Sequence, residues 1–134
     1  MRKETTELLL KKAAEARGAS YSPYSGFSVG AALLLSDGSI YTGANIENSS
    51  YTPTVCAERV AFFSALHDGH RDFRAIAIVG GKGEPTGLCY PCGVCLQVMS
   101  EFCSGDFEII LSDGKEGRTL TLDELLPRRF TLKK

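Results

Sequence analysis

At 134 residues, 43% of them hydrophobic and 23% charged, the chain is long enough to bury a core and too short for two, so residues 1–134 are read as one domain. A formal net charge of −1 without a basic stripe argues against nucleic acid as a partner, because phosphate binding needs clustered Lys and Arg. No apolar run approaches the ~20 residues of a membrane helix, and the N-terminal MRKETTELLLKKAAEA is charged and amphipathic, unlike a secretory signal.

Residues 4–17 predict a helix, with Leu8, Leu9, Ala13 and Ala16 on one side and Gly18 as a stop. Ser20-Tyr21-Ser22-Pro23-Tyr24-Ser25-Gly26 is a turn-rich loop. Segments 27–35 and 39–46 read as strands around Ser36-Asp37-Gly38, a hairpin signal. Residues 56–67 read as helix, with Gly69 just past the end. The apolar run 74–79 has the look of a buried central strand. A Gly/Pro-rich loop, 80–87, leads to Tyr90-Pro91-Cys92, where Pro91 suits the first turn of a helix over 92–103. Strand 107–111 and a short edge strand at 118–120 follow. Thr121-Leu122-Asp123-Glu124 has the form of a capping box opening a short last helix that Pro127 ends. This alternation favours an α/β fold, a mixed sheet with helices on both faces.

Five cysteines, three of them within seven residues, do not make a disulfide framework; in a reducing cytoplasm they read as metal-binding or redox groups. Cys92 and Cys95, three apart at a helix start, can chelate one tetrahedral ion. Cys56, from elsewhere in the chain, completes a three-thiolate site with one open position. Glu58, two residues after Cys56, can act as acid or base there without filling that position. An open position beside a carboxylate suits water activation, whereas a structural zinc site is closed. Both cysteine segments fall at predicted helix N-termini, where exposed N–H groups favour thiolate over thiol. Three thiolates overbalance a divalent cation, and Arg59 is placed to donate a hydrogen bond to one of them.

Plainer readings stand beside these. Glu58 could be a first-turn glutamate facing the helix dipole, and Arg59 a solvated helix arginine. Cys92 and Cys95 could form a redox dithiol or part of a closed zinc knuckle. Cys89-x-x-Cys92-x-x-Cys95 also opens an iron–sulfur spacing, although position 99 is Met where the next cysteine would fall. Cys89 is read as a small half-buried thiol and Cys103 as helix packing.

Cys-x-Glu followed by Pro-Cys-x-x-Cys is the pattern of zinc nucleobase deaminases. With Tyr21-Ser22-Pro23-Tyr24-Ser25-Gly26-Phe27-Ser28-Val29-Gly30-Ala31-Ala32, Asn45-Ile46-Glu47-Asn48, Cys56-Ala57-Glu58-Arg59 and Glu124-Leu125-Leu126-Pro127, the chain resembles the small zinc cytidine deaminases of nucleoside salvage. The resemblance implies a three-layer α/β/α sandwich around a mixed five-stranded sheet, one Zn2+ per chain and a cytoplasmic homotetramer. It implies Cys56, Cys92 and Cys95 as zinc ligands and Glu58 as the proton shuttle. Asn45 and Glu47 match the pair that binds the sugar hydroxyls, principally at the 3′ position; turn capping or a solvated strand end would be their plainer roles. Phe27 matches an aromatic packed on the pyrimidine, and Ala57 a position whose backbone meets the base. Tyr24, Tyr51 and Phe130 resemble residues at intersubunit contacts near the site. The implied reaction is hydrolytic deamination of cytidine and 2′-deoxycytidine to uridine and 2′-deoxyuridine plus ammonia, a hydrolase step of pyrimidine salvage. Leu96 stands where the family commonly has Arg, which leaves Arg59 with more of the charge compensation; Tyr90 stands where Ser is common and bears on the loop lining the leaving-group side.

Two further readings differ in substrate or class. One is a deaminase of a modified cytosine nucleoside antibiotic; Asn45 and Glu47 argue instead for an ordinary nucleoside sugar. The other is a non-enzymatic four-cysteine metal-binding protein that uses Cys89. Editing of polynucleotides would need a basic channel, and the near-neutral charge counts against it.

Overall fold

The computed structural model describes residues 1–133. Helix α1 (Lys3–Ala16) passes through a 3-10 turn (Arg17–Ala19) and a loop into the hairpin β1 (Ser28–Leu35) and β2 (Ile40–Ala44). Then come α2 (Ala57–His67), β3 (Phe73–Gly81), α3 (Gly93–Phe102), β4 (Glu108–Ser112), β5 (Gly117–Thr121) and the single turn α4 (Leu122–Leu125). Every expected element is present, with ends within two residues of expectation.

The strands form one sheet in the order β2-β1-β3-β4-β5. All neighbours are antiparallel except β3 and β4, whose parallel pairing requires the crossover that α3 supplies. Side chains alternate across it. Ala31, Leu33, Leu35, Ile76, Ile78, Ile109 and Leu111 face α2 and α3 and meet Ala61, Phe62 and Met99. Ala32, Leu34, Ala75, Ala77, Val79 and Ile110 face α1 and meet Leu9 and Ala13. Central strands covered on both sides have no polar face, which is why they read as apolar runs. Each fully buried Leu or Ile side chain contributes roughly 2 kcal/mol to this core. The result is the expected three-layer α/β/α arrangement around a mixed sheet.

Two local expectations are corrected. Leu8 is 44% exposed and Ala16 half-buried; the inward stripe of α1 is Leu9 and Ala13, four residues apart, and Leu8 lies about 100° round the helix from Leu9. Helix α3 begins at Gly93 with Cys92 as N-cap, so Pro91 precedes the cap instead of occupying the first turn. The capping box at α4 is present, with Thr121 Oγ1 accepting from Glu124 N–H at 3.2 Å and Glu124 Oε1 accepting from Thr121 N–H at 2.8 Å.

The register decides where the loops meet. Ser28 pairs with Gly81 and Gly30 with Ala44, so the start of β1 and the ends of β2 and β3 share one end of the sheet. Helix α3 returns from the end of β3, which brings its N-terminus to the same place. The first turns of α2 lie directly on β2: a Cβ on Gly43 would stand 2.4 Å from the Ala57 carbonyl oxygen and 2.6 Å from the Ala61 nitrogen. Arg17 secures this end, donating from Nε to the Ser28 carbonyl at 3.0 Å and from Nη2 to the carbonyls of Gly81, at 3.0 Å, and Gly83. No helix among the described residues is long and apolar enough to cross a membrane.

Candidate active site

Cys56 and Cys92 are the N-caps of α2 and α3, both with extended backbone, and Cys95 lies in the first turn of α3. Neither N-cap thiol makes a side-chain capping bond, and the positive end of each helix dipole favours negative charge on sulfur. Cys56 Sγ lies 3.7 Å from Cys92 Sγ, and Cys92 Sγ lies 3.6 Å from Cys95 Sγ. All three sulfurs fall within 4.8 Å of one another. Tetrahedral zinc, with Zn–S bonds of about 2.3 Å, holds its sulfurs about 3.8 Å apart, so the donor set fits zinc. Cys95 is buried, Cys56 half-buried and Cys92 exposed, which opens the cluster to solvent on the Cys92 side.

Hydrogen bonding sorts these thiols before any metal binds. Donation from the Cys95 thiol, helped by Arg59 and Cys92, holds Cys56 down at about 5. The same bond, with burial, holds Cys95 well above the usual thiol range. Arg59 Nη2 donates to Cys56 Sγ at 3.6 Å, the contact expected of a group that draws charge off a thiolate. Its buried Nε has no hydrogen-bond partner among the described residues. Leu96, where the family commonly carries Arg, is packed into the main core.

Glu58 occupies the second position of α2 and is only 4% exposed. Burial pushes its carboxyl up to about 7, into the range where a carboxyl exchanges protons at neutral pH. The reading of Glu58 as a solvated first-turn glutamate is thereby excluded. Burial also pushes Cys89 up to about 11 and Cys103 up to about 12. Cys89 stands outside the three-sulfur cluster. Its sulfur converges with Phe27 and Val29 over Gly80, each having an atom 3.0–3.1 Å from where a Cβ there would lie.

The other predicted residues gather at the same sheet end. Asn45 Oδ1 accepts from Ser20 Oγ at 2.6 Å and Val29 N–H at 2.9 Å, while its Nδ2 donates to the Phe27 carbonyl at 2.9 Å. One N–H of that amide is left over. Glu47 accepts from the N–H groups of Tyr24 at 2.9 Å and Ser25 at 3.2 Å, and from Ser25 Oγ. The Ser25 hydroxyl, with those two N–H groups, keeps its carboxyl below the usual range. A cleft of about 420 Å³ is lined by Tyr24, Ser25, Glu47, Asn48, Tyr51 and Thr54. Tyr24 and Tyr51 meet edge to face at 6.5 Å. Ala57 is fully buried. Phe130 lies apart from the cleft, its carbonyl accepting from Gln97 of α3 at 3.0 Å. Sequence reasoning gave no role to Arg17, Ser25, Asn48 or Thr54; Ser25 and Asn48 stand within the quoted motifs, but what any of the four touches shows only in the folded chain.

A family model for the cytidine and deoxycytidylate deaminase zinc-binding region matches residues 3–110. The chain belongs to this deaminase family. It is 48% identical over 126 residues to the cytidine deaminase of Halalkalibacterium halodurans, covering 93% of each chain. It is also 48% identical to that of Sporosarcina psychrophila, covering 93% of this chain and 90% of the relative. The crystal structure of cytidine deaminase from Burkholderia pseudomallei superposes with a TM-score of 0.86 at 43% identity, covering 97% of this chain and all of the other. Membership of a zinc-binding deaminase family and the three-sulfur cluster together fit one Zn2+ per chain.

Proposed function

We propose that the protein hydrolytically deaminates cytidine and 2′-deoxycytidine to the uracil nucleosides and ammonia, as a hydrolase of pyrimidine salvage. The observation that carries this reading is a buried Glu58 two residues from one of three thiols spaced for zinc. Deaminase relatives at 48% identity over nearly the whole chain support it.

Cys56, Cys92 and Cys95 would hold the metal, leaving the fourth position open. Bound there, zinc supplies a Lewis acid that makes hydroxide available near neutral pH. Glu58 takes one proton of the attacking water and delivers it to N3 of the cytosine as C4 is attacked, then takes the proton of the new C4 hydroxyl and gives it to the departing amine, so that ammonia leaves and the C4 carbonyl forms. Buried and two residues from Cys56, the Glu58 carboxylate is placed to accept that proton and to give it up. Arg59 holds the Cys56 thiolate. The spare N–H of Asn45 and the carboxylate of Glu47 take the sugar hydroxyls, Phe27 packs on the pyrimidine, and the Ala57 backbone meets the base. Tyr24, Tyr51 and Phe130, all exposed, belong to contacts between chains of a homotetramer in the cytoplasm. A closed four-cysteine centre is disfavoured because Cys89 lies outside the cluster.

Ultraviolet-monitored turnover of cytidine by the zinc-loaded protein tests the assignment. Conversion to uridine is expected, falling about 10²–10⁴-fold in Glu58→Ala. No turnover by protein carrying one zinc per chain overturns it.

A further inference from the structure

The loop before β1 runs beside the segment that follows β2. Tyr21 N–H donates to the Asn45 carbonyl at 3.0 Å, and Glu47 N–H donates back to the Tyr21 carbonyl at 2.8 Å. Within this paired frame Ser25 makes two side-chain bonds of different kinds. Its hydroxyl donates to Glu47 Oε2, and the same oxygen accepts from the Phe27 N–H at 2.9 Å. The Phe27 carbonyl in turn accepts from Asn45 Nδ2. The serine hydroxyl therefore joins two residues assigned to substrate, Glu47 on the sugar side and Phe27 on the base side, and Asn45 joins Phe27 by a bond of its own.

A hydroxyl has one proton to give, and Ser25 gives it to a carboxylate, the stronger kind of hydrogen bond. Donating there makes its oxygen a better acceptor for the Phe27 N–H. An ionised carboxylate offers about four acceptor sites. Three at Glu47 are taken by Tyr24 N–H, Ser25 N–H and Ser25 Oγ, and the last of these alone fixes the orientation of Oε2. One site remains, on a carboxylate that lines the cleft.

We propose that Ser25 is a positioning residue for nucleoside recognition: its hydroxyl orients the Glu47 carboxylate toward the sugar and sets the Phe27 backbone, so the sugar and base subsites are aligned as a unit. The proposal rests on the reading of Glu47 and Phe27 as substrate contacts. It concerns binding in the ground and transition states alike, so the effect belongs in KM.

Zinc-loaded wild type, Ser25→Ala and Ser25→Thr are compared on cytidine and on 2′,3′-dideoxycytidine, whose sugar lacks both ring hydroxyls. Ser25→Ala raises KM for cytidine about tenfold, the loss of one hydrogen bond to a charged group, with kcat within about threefold. Ser25→Thr keeps the hydroxyl and restores KM, a rescue that general loop stability would not follow. On the dideoxy substrate the same Ala substitution costs at most about threefold, because only the link to Phe27 is left to lose. An unchanged KM for cytidine in Ser25→Ala, an equal rise on both substrates, or failure of Ser25→Thr to restore KM overturns the role of Ser25 alone. Absence of cytidine turnover by the wild type overturns the deaminase reading as well, and so separates the two failures.

Discussion

Glu58 is a carboxyl that the fold holds against its own ionisation. With the pKa raised from 4.5 to about 7, the folded metal-free protein retains a proton that the unfolded chain has already lost. Its contribution is intact below pH 4.5 and is lost as pH rises to 7, a cost of about 3 kcal/mol above that window. Glu58→Gln removes the charge and keeps the shape. Metal-free Glu58→Gln should therefore match the wild type near pH 4 and exceed its stability by about 3 kcal/mol at pH 8, as read by urea unfolding. A gap of the same size at both pH values would mean that burial does not govern this carboxyl. A divalent cation at the thiols pulls the pKa of Glu58 down, so the gap narrows when zinc is bound. The cysteines separate in the same direct way. Cys56→Ser, Cys92→Ser and Cys95→Ser should each lower the metal content below one zinc per chain, while Cys89→Ser keeps it at one. Equal loss in Cys89→Ser would revive the closed four-cysteine centre.

Among the elements, α2 bears the greatest consequence, because its first turn carries Cys56 and Glu58 and lies on the backbone of β2. Gly43→Ala would put a methyl 2.4 Å from the Ala57 carbonyl oxygen, and two backbones cannot yield as a side chain can. The variant should lose about 3 kcal/mol of stability in urea unfolding. Its turnover should fall even where it remains folded, since the displaced turn takes Glu58 with it; wild-type turnover in the folded variant would show that the turn tolerates the shift. The elements themselves were legible in the sequence. The strand pattern at 27–35, the apolar run at 74–79, the Ser36-Asp37-Gly38 turn and the capping box at Thr121 are local signals, and local physics honoured them. The face of α1 was less legible. Leu8 and Leu9 are chemically alike, and only packing of the helix on this face of the sheet decides which of them is buried. Arg17 is a fuller case: the Gly81 and Gly83 carbonyls that it holds lie 64 and 66 residues away along the chain, and neither could be guessed from it.

At the scale of the whole molecule, several large aromatic side chains remain in solvent, Tyr24 and Tyr51 at the cleft and Phe130 apart from it. Tyr51 is 73% exposed and Phe130 68% exposed, and Tyr51 also adopts a left-handed backbone with φ 65°. A non-glycine residue in that conformation is uncommon and is found where surroundings or function require it. Covered by neighbouring chains, these rings would add area to each site and hold that loop. Sedimentation equilibrium should then give four times the chain mass of 14.5 kDa, and Tyr51→Asp should shift the distribution toward smaller species while raising KM. A monomer with full activity would remove Tyr24, Tyr51 and Phe130 from the site. By itself the sequence determined the alternation of helices and strands, the three thiols, the carboxyl beside them and the resemblance that named their chemistry, because spacing along the chain and residue type are local properties. Tertiary structure alone decided that Cys56 reaches Cys92 and Cys95, that Cys89 does not join them, and that Ser25 links Glu47 to Phe27. Those outcomes depend on strand register and on two helix N-termini meeting at one end of a sheet, which no short stretch of sequence encodes.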